Sequence, residues 1–145
     1  MQSLIPYLMF DGNCEEAIHF YKDIFDGEIP YMGRFGDGQM EDVPEEAKNR
    51  VMHSTLNFRG GTIMASDTMP GAPFTSDGKG NQIHLSLGFD KLDKLASTFD
   101  DLKEGGKVTM ELQDTFWGDR FGMITDRFGI SWMLSCPVKQ VAEQG

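Results

Sequence analysis

No apolar run in this sequence reaches membrane-spanning length, which for a helix is about 20 residues. The chain does not open on a basic stretch followed by an apolar one, so no export signal is expected and the protein is read as cytoplasmic. Cysteine is scarce. Cys14 and Cys136 stand far apart, in neither a metal nor a redox spacing, and reduced free thiols are the expected state. Positive charge is also short: 13 Lys and Arg against 23 Asp and Glu leave a formal net charge of −10. Such a surface repels phosphate backbones and anionic membranes. Nucleic acid and membrane are therefore excluded as partners, and an anionic ligand would need a local basic pocket.

What is present describes one ordinary domain. The 145 residues are 39% hydrophobic and 25% charged, a globular composition. Ten methionines are many. Met adapts to irregular cavities, so the count suits either a pliable apolar pocket or plain core filling.

Periodicity divides the chain into two runs with the same order of elements. Leu4 to Phe10 reads as a strand, broken by Asp11-Gly12-Asn13. Asn13 can cap a helix, with Glu16 completing a capping box; Ala17, Ile18, Tyr21, Ile24 and Phe25 follow at helical spacing, and Gly27 stops the helix. Glu28 to Phe35 is a second strand. Gly36 to Asn49 is a polar loop, with room for one helical turn after Pro44. Arg50 to Arg59 alternates, with Met52, Ser54, Leu56 and Phe58 on one face and His53, Thr55 and Asn57 on the other. Gly60-Gly61 predicts a hairpin turn into a return strand, Thr62 to Asp67. After an irregular connection, residues 68–81, the order repeats: a strand over Gln82 to Phe89, a helix carrying Leu92, Leu95, Ala96, Phe99 and Leu102 and ending at Gly105-Gly106, then a strand over Lys107 to Gln113. The run from Phe116 to Leu134 reads as a closing aromatic hairpin, in which Asp126 starts a type I turn and Gly129 supplies the positive φ that leaves it. The expected fold class is α+β: one domain over 1–145, built from two βαβββ modules, about 1–67 and 82–137.

Three segments together resemble the vicinal oxygen chelate superfamily, which includes glyoxalase I, bleomycin-resistance proteins and extradiol dioxygenases, and within it the PhnB-like branch. They are Pro6 to Ala17 with Phe20-Tyr21; His53 with Met64 to Asp67 and Met69-Pro70; and Thr115-Phe116-Trp117-Gly118 through Trp132. The resemblance implies curled mixed sheets around a concave pocket, with helices outside, and a homodimer.

Metal-using members of that superfamily place His or Glu ligands on the first and last strands of each module. The equivalent places fall at Pro6 or Tyr7, near Ala65 or Ser66 with Asp67 just beyond, at His84, and at Met133. Only His84 is an acceptable ligand, and a thioether is a poor partner for a hard divalent ion. The expectation is a protein without the family metal or any other cofactor. The alternative is a displaced divalent-ion site built from His84, His53 and Asp67.

The expected function is therefore binding of a small, partly apolar molecule in a pocket lined by Tyr7, Met9, His53, Thr55, His84, Ser86 and Met133. No catalytic residue is assigned. Two alternatives stand beside it: a metal-dependent lyase or isomerase of glyoxalase type, and a bleomycin-type drug-sequestering resistance protein, whose relatives also have acidic surfaces. A methyl-donor nucleotide needs a glycine-rich strand-to-helix turn, and Gly33, Gly36 and Gly38 lie in a region with no suitable helix after them. Cys14 sits near a helix start, where a thiolate is favoured, but no spacing places a histidine beside it, so a bystander thiol is expected. His19 and the Glu15, Glu16 and Asp23 cluster read as solvated helix surface, and Glu41 to Glu46 as a solvated loop or a lid. Trp117 and Phe121 could stack on a planar ligand or belong to a core or interface. Arg34, Arg50 and Arg120 are the candidates for a carboxylate or phosphonate contact.

Overall fold

The two helices form where apolar residues recur at three- and four-residue spacing. The computed structural model describes residues 3–37, 42–72 and 83–138. Helix α1, Cys14–Phe25, buries Cys14, Ala17, Ile18 and Tyr21 along one stripe. Helix α2, Leu92–Lys103, buries Leu95, Thr98, Phe99 and Leu102, while Ala96, expected in the stripe, is exposed.

Both helix ends differ from expectation in an instructive way. Asn13 makes no side-chain cap bond, because at φ −113° and ψ 24° it lacks the extended backbone of a capping box. The acceptor comes from a distant strand instead: the Asp67 carboxylate takes the Gly12 and Cys14 N–H groups at 2.8 and 2.9 Å. At the other end the left-handed residue is Asp26, φ 52°, not Gly27. Gly27 serves close approach, since a Cβ there would stand 2.6 Å from the Asn57 carbonyl oxygen. The second module repeats this arrangement. Gly105 takes φ 73°, and a Cβ on Gly106 would stand 2.5 Å from the Thr125 carbonyl oxygen.

The chain divides into two compact units, Met1–Phe74 and Thr75–Gly145. Most of the predicted connection 68–81, residues 73–81, lies outside the described residues, as does Gln82. The first unit holds β1 (Tyr7–Phe10), β2 (Glu28–Arg34), β3 (Val51–Phe58) and β4 (Gly61–Asp67) in the order β1-β4-β3-β2, with β1 parallel to β4 and the other pairs antiparallel. The second holds β5 (Leu85–Gly88), β6 (Lys107–Asp114), β7 (Asp119–Thr125) and β8 (Ser131–Pro137) in the order β5-β8-β7-β6, again with only the first pair parallel. This is α+β, two βαβββ modules with one four-stranded mixed sheet each, as the periodicity predicts. The turn after Pro44 is present as a 3₁₀ turn, Glu45–Ala47.

Strand boundaries move by up to three residues. The first and fifth strands begin late, at Tyr7 and Leu85. The β3–β4 loop is Arg59-Gly60, one residue earlier than predicted, because Phe58 pairs with Gly61 and Asn57 with Thr62. A bond from Thr62 Oγ1 to Asn57 Oδ1, 3.0 Å, holds that register. The closing hairpin turns as expected: Gly129 has φ 90°, its N–H donates to the Asp126 carbonyl at 3.0 Å, and the Asp126 N–H donates to the Ile130 carbonyl at 2.8 Å.

Candidate functional site

Which face of each sheet its helix covers follows from a few contacts. Ser54 lies by Cys14 of α1, and Phe58 by Phe25, ring centroids 4.8 Å apart. The even positions of β3 therefore face α1, and His53, Thr55 and Asn57 face away. In the second unit a Cβ on Gly122 would meet Phe99 of α2 at 2.7 Å. Gly122, Ile124, Trp132 and Leu134 form that buried face, and Phe121, Met123, Met133 and Ser135 face away.

On the helix-free face of the first sheet, strand register sets Tyr7, Met64, Thr55 and Tyr31 in one row across all four strands. Gly33 and His53 pair on the same face beside that row. The Tyr7 hydroxyl lies 3.0 Å from His53 Nδ1, and Thr55 Oγ1 lies 3.4 Å from His53 Nε2. The rings of Tyr7 and Tyr31 flank the imidazole, with centroids 5.6 and 6.0 Å away. Tyr7 is 46% exposed and Tyr31 51%. Tyr31 folds over Gly33, where any Cβ would collide with its phenol end. Met9 joins the face, its sulfur accepting the Ser66 hydroxyl at 3.3 Å. Four predicted residues (Tyr7, Met9, His53 and Thr55) thus share one face, and three of them form a hydrogen-bonded chain. Tyr31 was not foreseen. Its signal was a tyrosine two residues before a strand glycine.

In the second unit, Ser86 and Met133 are register partners on the helix-free face of their sheet, and Met123 lies beside Met133. His84, half-buried, immediately precedes β5. The predicted pocket residues therefore divide between the units, four in the first and three in the second; all but His84, which precedes β5, lie on the face their helix leaves free.

Asp67, considered above as a metal partner, is 3% exposed and already accepts several backbone N–H groups. Besides Gly12 and Cys14 it accepts the Val51 N–H at 2.9 Å. Asp126 plays the same part in the second unit: Oδ1 accepts the Phe128 and Ile130 N–H groups at 2.9 and 3.0 Å, and Oδ2 the Trp132 indole N–H at 2.8 Å. Among the described residues no three His, Cys, Asp or Glu side chains gather as a metal cluster.

The three candidate arginines each hold a carboxylate of the chain. Arg34 pairs with Glu15 at 2.8 Å and Arg50 with Asp11 at 2.9 Å; Arg120 grips Asp114 through two nitrogens, at 2.7 and 3.4 Å. Arg34 holds the Glu15 carboxyl below the usual range, and Arg120 does the same to Asp114. Cys14 is buried. That burial, with a smaller push from Asp67, raises its thiol to about 12 against the pull of its Ser54 contact. Burial raises Cys136 too. Neither thiol is poised as a nucleophile. His19 is exposed on α1, and Glu45 pairs with Lys48 at 3.1 Å. Gly33 is part of β2 and Gly36 of a 3₁₀ turn, so no phosphate-binding turn forms there; Gly38 and Glu41 lie outside the described residues.

A duplicated βαβββ chain with a helix on one face of each sheet and a polar, aromatic set on the other defines a class, and comparison with known sequences identifies it. Residues 3–134 match the family model of the Glyoxalase/Bleomycin resistance protein/Dioxygenase superfamily, and the chain belongs to that family. It is 33% identical to protein YjdN of Escherichia coli K12, over 97% of this chain and 99% of that one. Protein PA1353 of Pseudomonas aeruginosa has a similar structure, with a TM-score of 0.83 at 37% identity, covering 95% of this chain and 99% of that one. A PhnB protein of Bacillus cereus superposes with a TM-score of 0.78 at 26% identity, over 93% and 99% of the two chains, which places this chain in the PhnB-like branch.

Proposed function

We propose that this protein binds a small, partly apolar molecule on a sheet face that its helix leaves free, without the family metal. One observation carries the reading: the half-exposed row of Tyr7, Met64, Thr55 and Tyr31 beside His53, where aromatic surface and hydrogen-bonding groups lie together on the face turned away from α1. Pockets for small ligands are built this way, from apolar walls with a few polar groups. Met9 belongs to the same face, and in the second unit Ser86 and Met133, with His84 just before β5, are the corresponding candidates.

The donor set supports the metal-free part. The family's ligand positions here carry Pro6 or a Tyr7 hydrogen-bonded to His53, a buried Ala65 or Ser66, His84 and the Met133 thioether, and a single acceptable ligand does not hold a hard divalent ion. The displaced alternative of His84, His53 and Asp67 is weakened by the three N–H groups that Asp67 already accepts. The Bacillus cereus structure's name couples PhnB to a 3-demethylubiquinone-9 3-methyltransferase. That activity does not suit this chain, which shows no glycine-rich strand-to-helix turn among the described residues.

The test is thermal unfolding of metal-stripped protein, first with divalent ions and then with a small-molecule panel. A ligand at a hundred times its dissociation constant adds about 2.7 kcal/mol, several degrees for a domain of this size. No shift with any ion, and a shift with an organic ligand that Tyr7→Ala and His53→Ala weaken, is the expected result. A several-degree shift with one ion would return the metal-dependent lyase or isomerase to first place.

The drug-sequestering reading draws on one specific feature. The helix-free face of the first sheet carries two tyrosine rings, and Arg34 at the end of β2 is already paired with Glu15, so the face suits a cationic ligand. Affinity that falls steeply with added salt would favour it. The protein is proposed to act as a cytoplasmic homodimer, and sedimentation as a monomer at micromolar concentration would count against that.

A further inference from the structure

We propose that the second sheet carries a flat subsite for an uncharged, planar aromatic ring system, with Trp117 as its clamp. This rests on the small-molecule reading above and names the ligand class for one face. The floor is a single row, Phe121, Ser135 and Gly88, set by strand register. Among the described residues a Cβ on Gly88 would meet nothing within 4 Å, which leaves that end of the row open. From Phe121 to Gly88 is two strand spacings, about 9.5 Å, room for a fused two-ring system lying flat. The next row sets Met123, Met133 and Ser86 side by side. Thioethers make favourable contact with aromatic rings and yield to their shape, while serine offers a hydroxyl to a polar substituent.

The clamp is held in place. Trp117 lies in the β6–β7 turn, which Thr115 and Asp119 close: the Thr115 N–H and hydroxyl both donate to the Asp119 carbonyl, at 2.7 and 2.8 Å, and the Asp119 N–H donates to Thr115 Oγ1 at 3.2 Å. The Gly118 carbonyl accepts the Val138 N–H at 2.9 Å, tying the turn to the end of β8. In that fixed turn Trp117 is 57% exposed, and its indole stands edge-on to Phe121 with centroids 6.4 Å apart. An exposed large aromatic on a rigid turn, adjoining a floor of serine and glycine, is arranged for stacking. Charge selects further. The nearby cation, Arg120, is neutralised by Asp114, and a chain of net charge −10 disfavours an anion.

The two tryptophans make the test direct. Trp132 is buried with its indole N–H on Asp126, so in a proton–nitrogen correlation spectrum its resonance reports the fold, while that of Trp117 reports the subsite. Titrating the full chain with 1-naphthol should shift the Trp117 indole resonance saturably and leave that of Trp132 in place. The saturated analogue decahydro-1-naphthol should bind about tenfold more weakly. Gly88→Leu, which fills the open space, and Trp117→Ala should each weaken 1-naphthol by about tenfold or more with the Trp132 resonance unchanged. The inference is overturned if 1-naphthol binds without moving Trp117, or if Gly88→Leu binds it as the natural chain does. It is equally overturned if the Trp117 signal depends on protein concentration alone, which would make the turn a contact between copies. In those cases a ligand from the thermal panel would still support small-molecule binding, so the two readings fail separately.

Discussion

Two buried carboxylates show how single residues hold this architecture. Asp67 and Asp126, each 3% exposed, accept three N–H donors apiece. Hydrogen bonds to a charged acceptor are stronger than neutral ones, and a donor left unpaired in the interior costs its full desolvation. Asp67→Asn retains one acceptor oxygen and turns an NH₂ group toward an N–H, so it should lower stability by about 3 kcal/mol in urea unfolding. It should also fray α1, whose N-terminus loses its anion. Cys14 adds a pH dependence. Its thiol stays neutral in the fold up to about 12, whereas in the unfolded chain it ionises near the ordinary value of about 8.5. The burial term is therefore fully present below about pH 8.5 and is lost as pH rises toward 12. At pH 8, Cys14→Ala should cost about 1–2 kcal/mol for the cavity. At about pH 10.5 the natural chain should have lost about 2–3 kcal/mol that the variant does not lose, so the gap closes or inverts. Parallel urea melts at the two pH values would show it, and a constant gap would refute it.

Among the elements, the modules repeat their helix exits as well as their strand order. After each helix one residue takes the left-handed conformation and the next passes tightly against a carbonyl of the facing strand. These two roles respond oppositely to mutation. Gly27→Ala and Gly106→Ala push a Cβ into backbone that cannot swing aside, and each should destabilise by about 2 kcal/mol. Asp26→Gly relieves a left-handed non-glycine and should be neutral or stabilise by up to about 1 kcal/mol. Thermal melts of the three variants test the division. The sequence pointed to helix stops at Gly27 and Gly105-Gly106, but not to which residue turns and which packs, because that depends on a strand 30 residues further along, as the Gly27–Asn57 contact shows. The same limit governs the cap. Asn13 and Glu16 form a valid local motif, yet the acceptor that wins lies on β4. Alternation in β3 did place His53 and Thr55 on the face away from the helix, since period two is a local property. Tyr31 escaped notice because its irregular pairing, with register shifts on both sides of it, hides the strand's alternation.

For the whole molecule, duplication was legible because both modules repeat the same punctuation, strand, glycine-stopped helix and hairpin. The net charge of −10 bears on partners rather than fold. Fluorescence anisotropy with labelled duplex DNA at low salt should show no binding up to about 10⁻⁴ M protein, the weak end of ordinary non-specific affinity; saturable binding below that would expose a basic patch that the composition conceals. The parallel pairing of each module's first strand with its last has a further consequence, for the order of events in time. Strand β1 has no partner until β4 exists, and its register partners there, from Met64 opposite Tyr7 to Asp67 opposite Phe10, lie more than 50 residues further along the chain. Hairpins β2–β3–β4 can zip locally, but β1 must wait for that long loop to close, and non-local closure is what slows folding. During synthesis the first strand of each module therefore emerges before its partner and docks last, which makes β1 and β5 the parts most dependent on the chain that follows them.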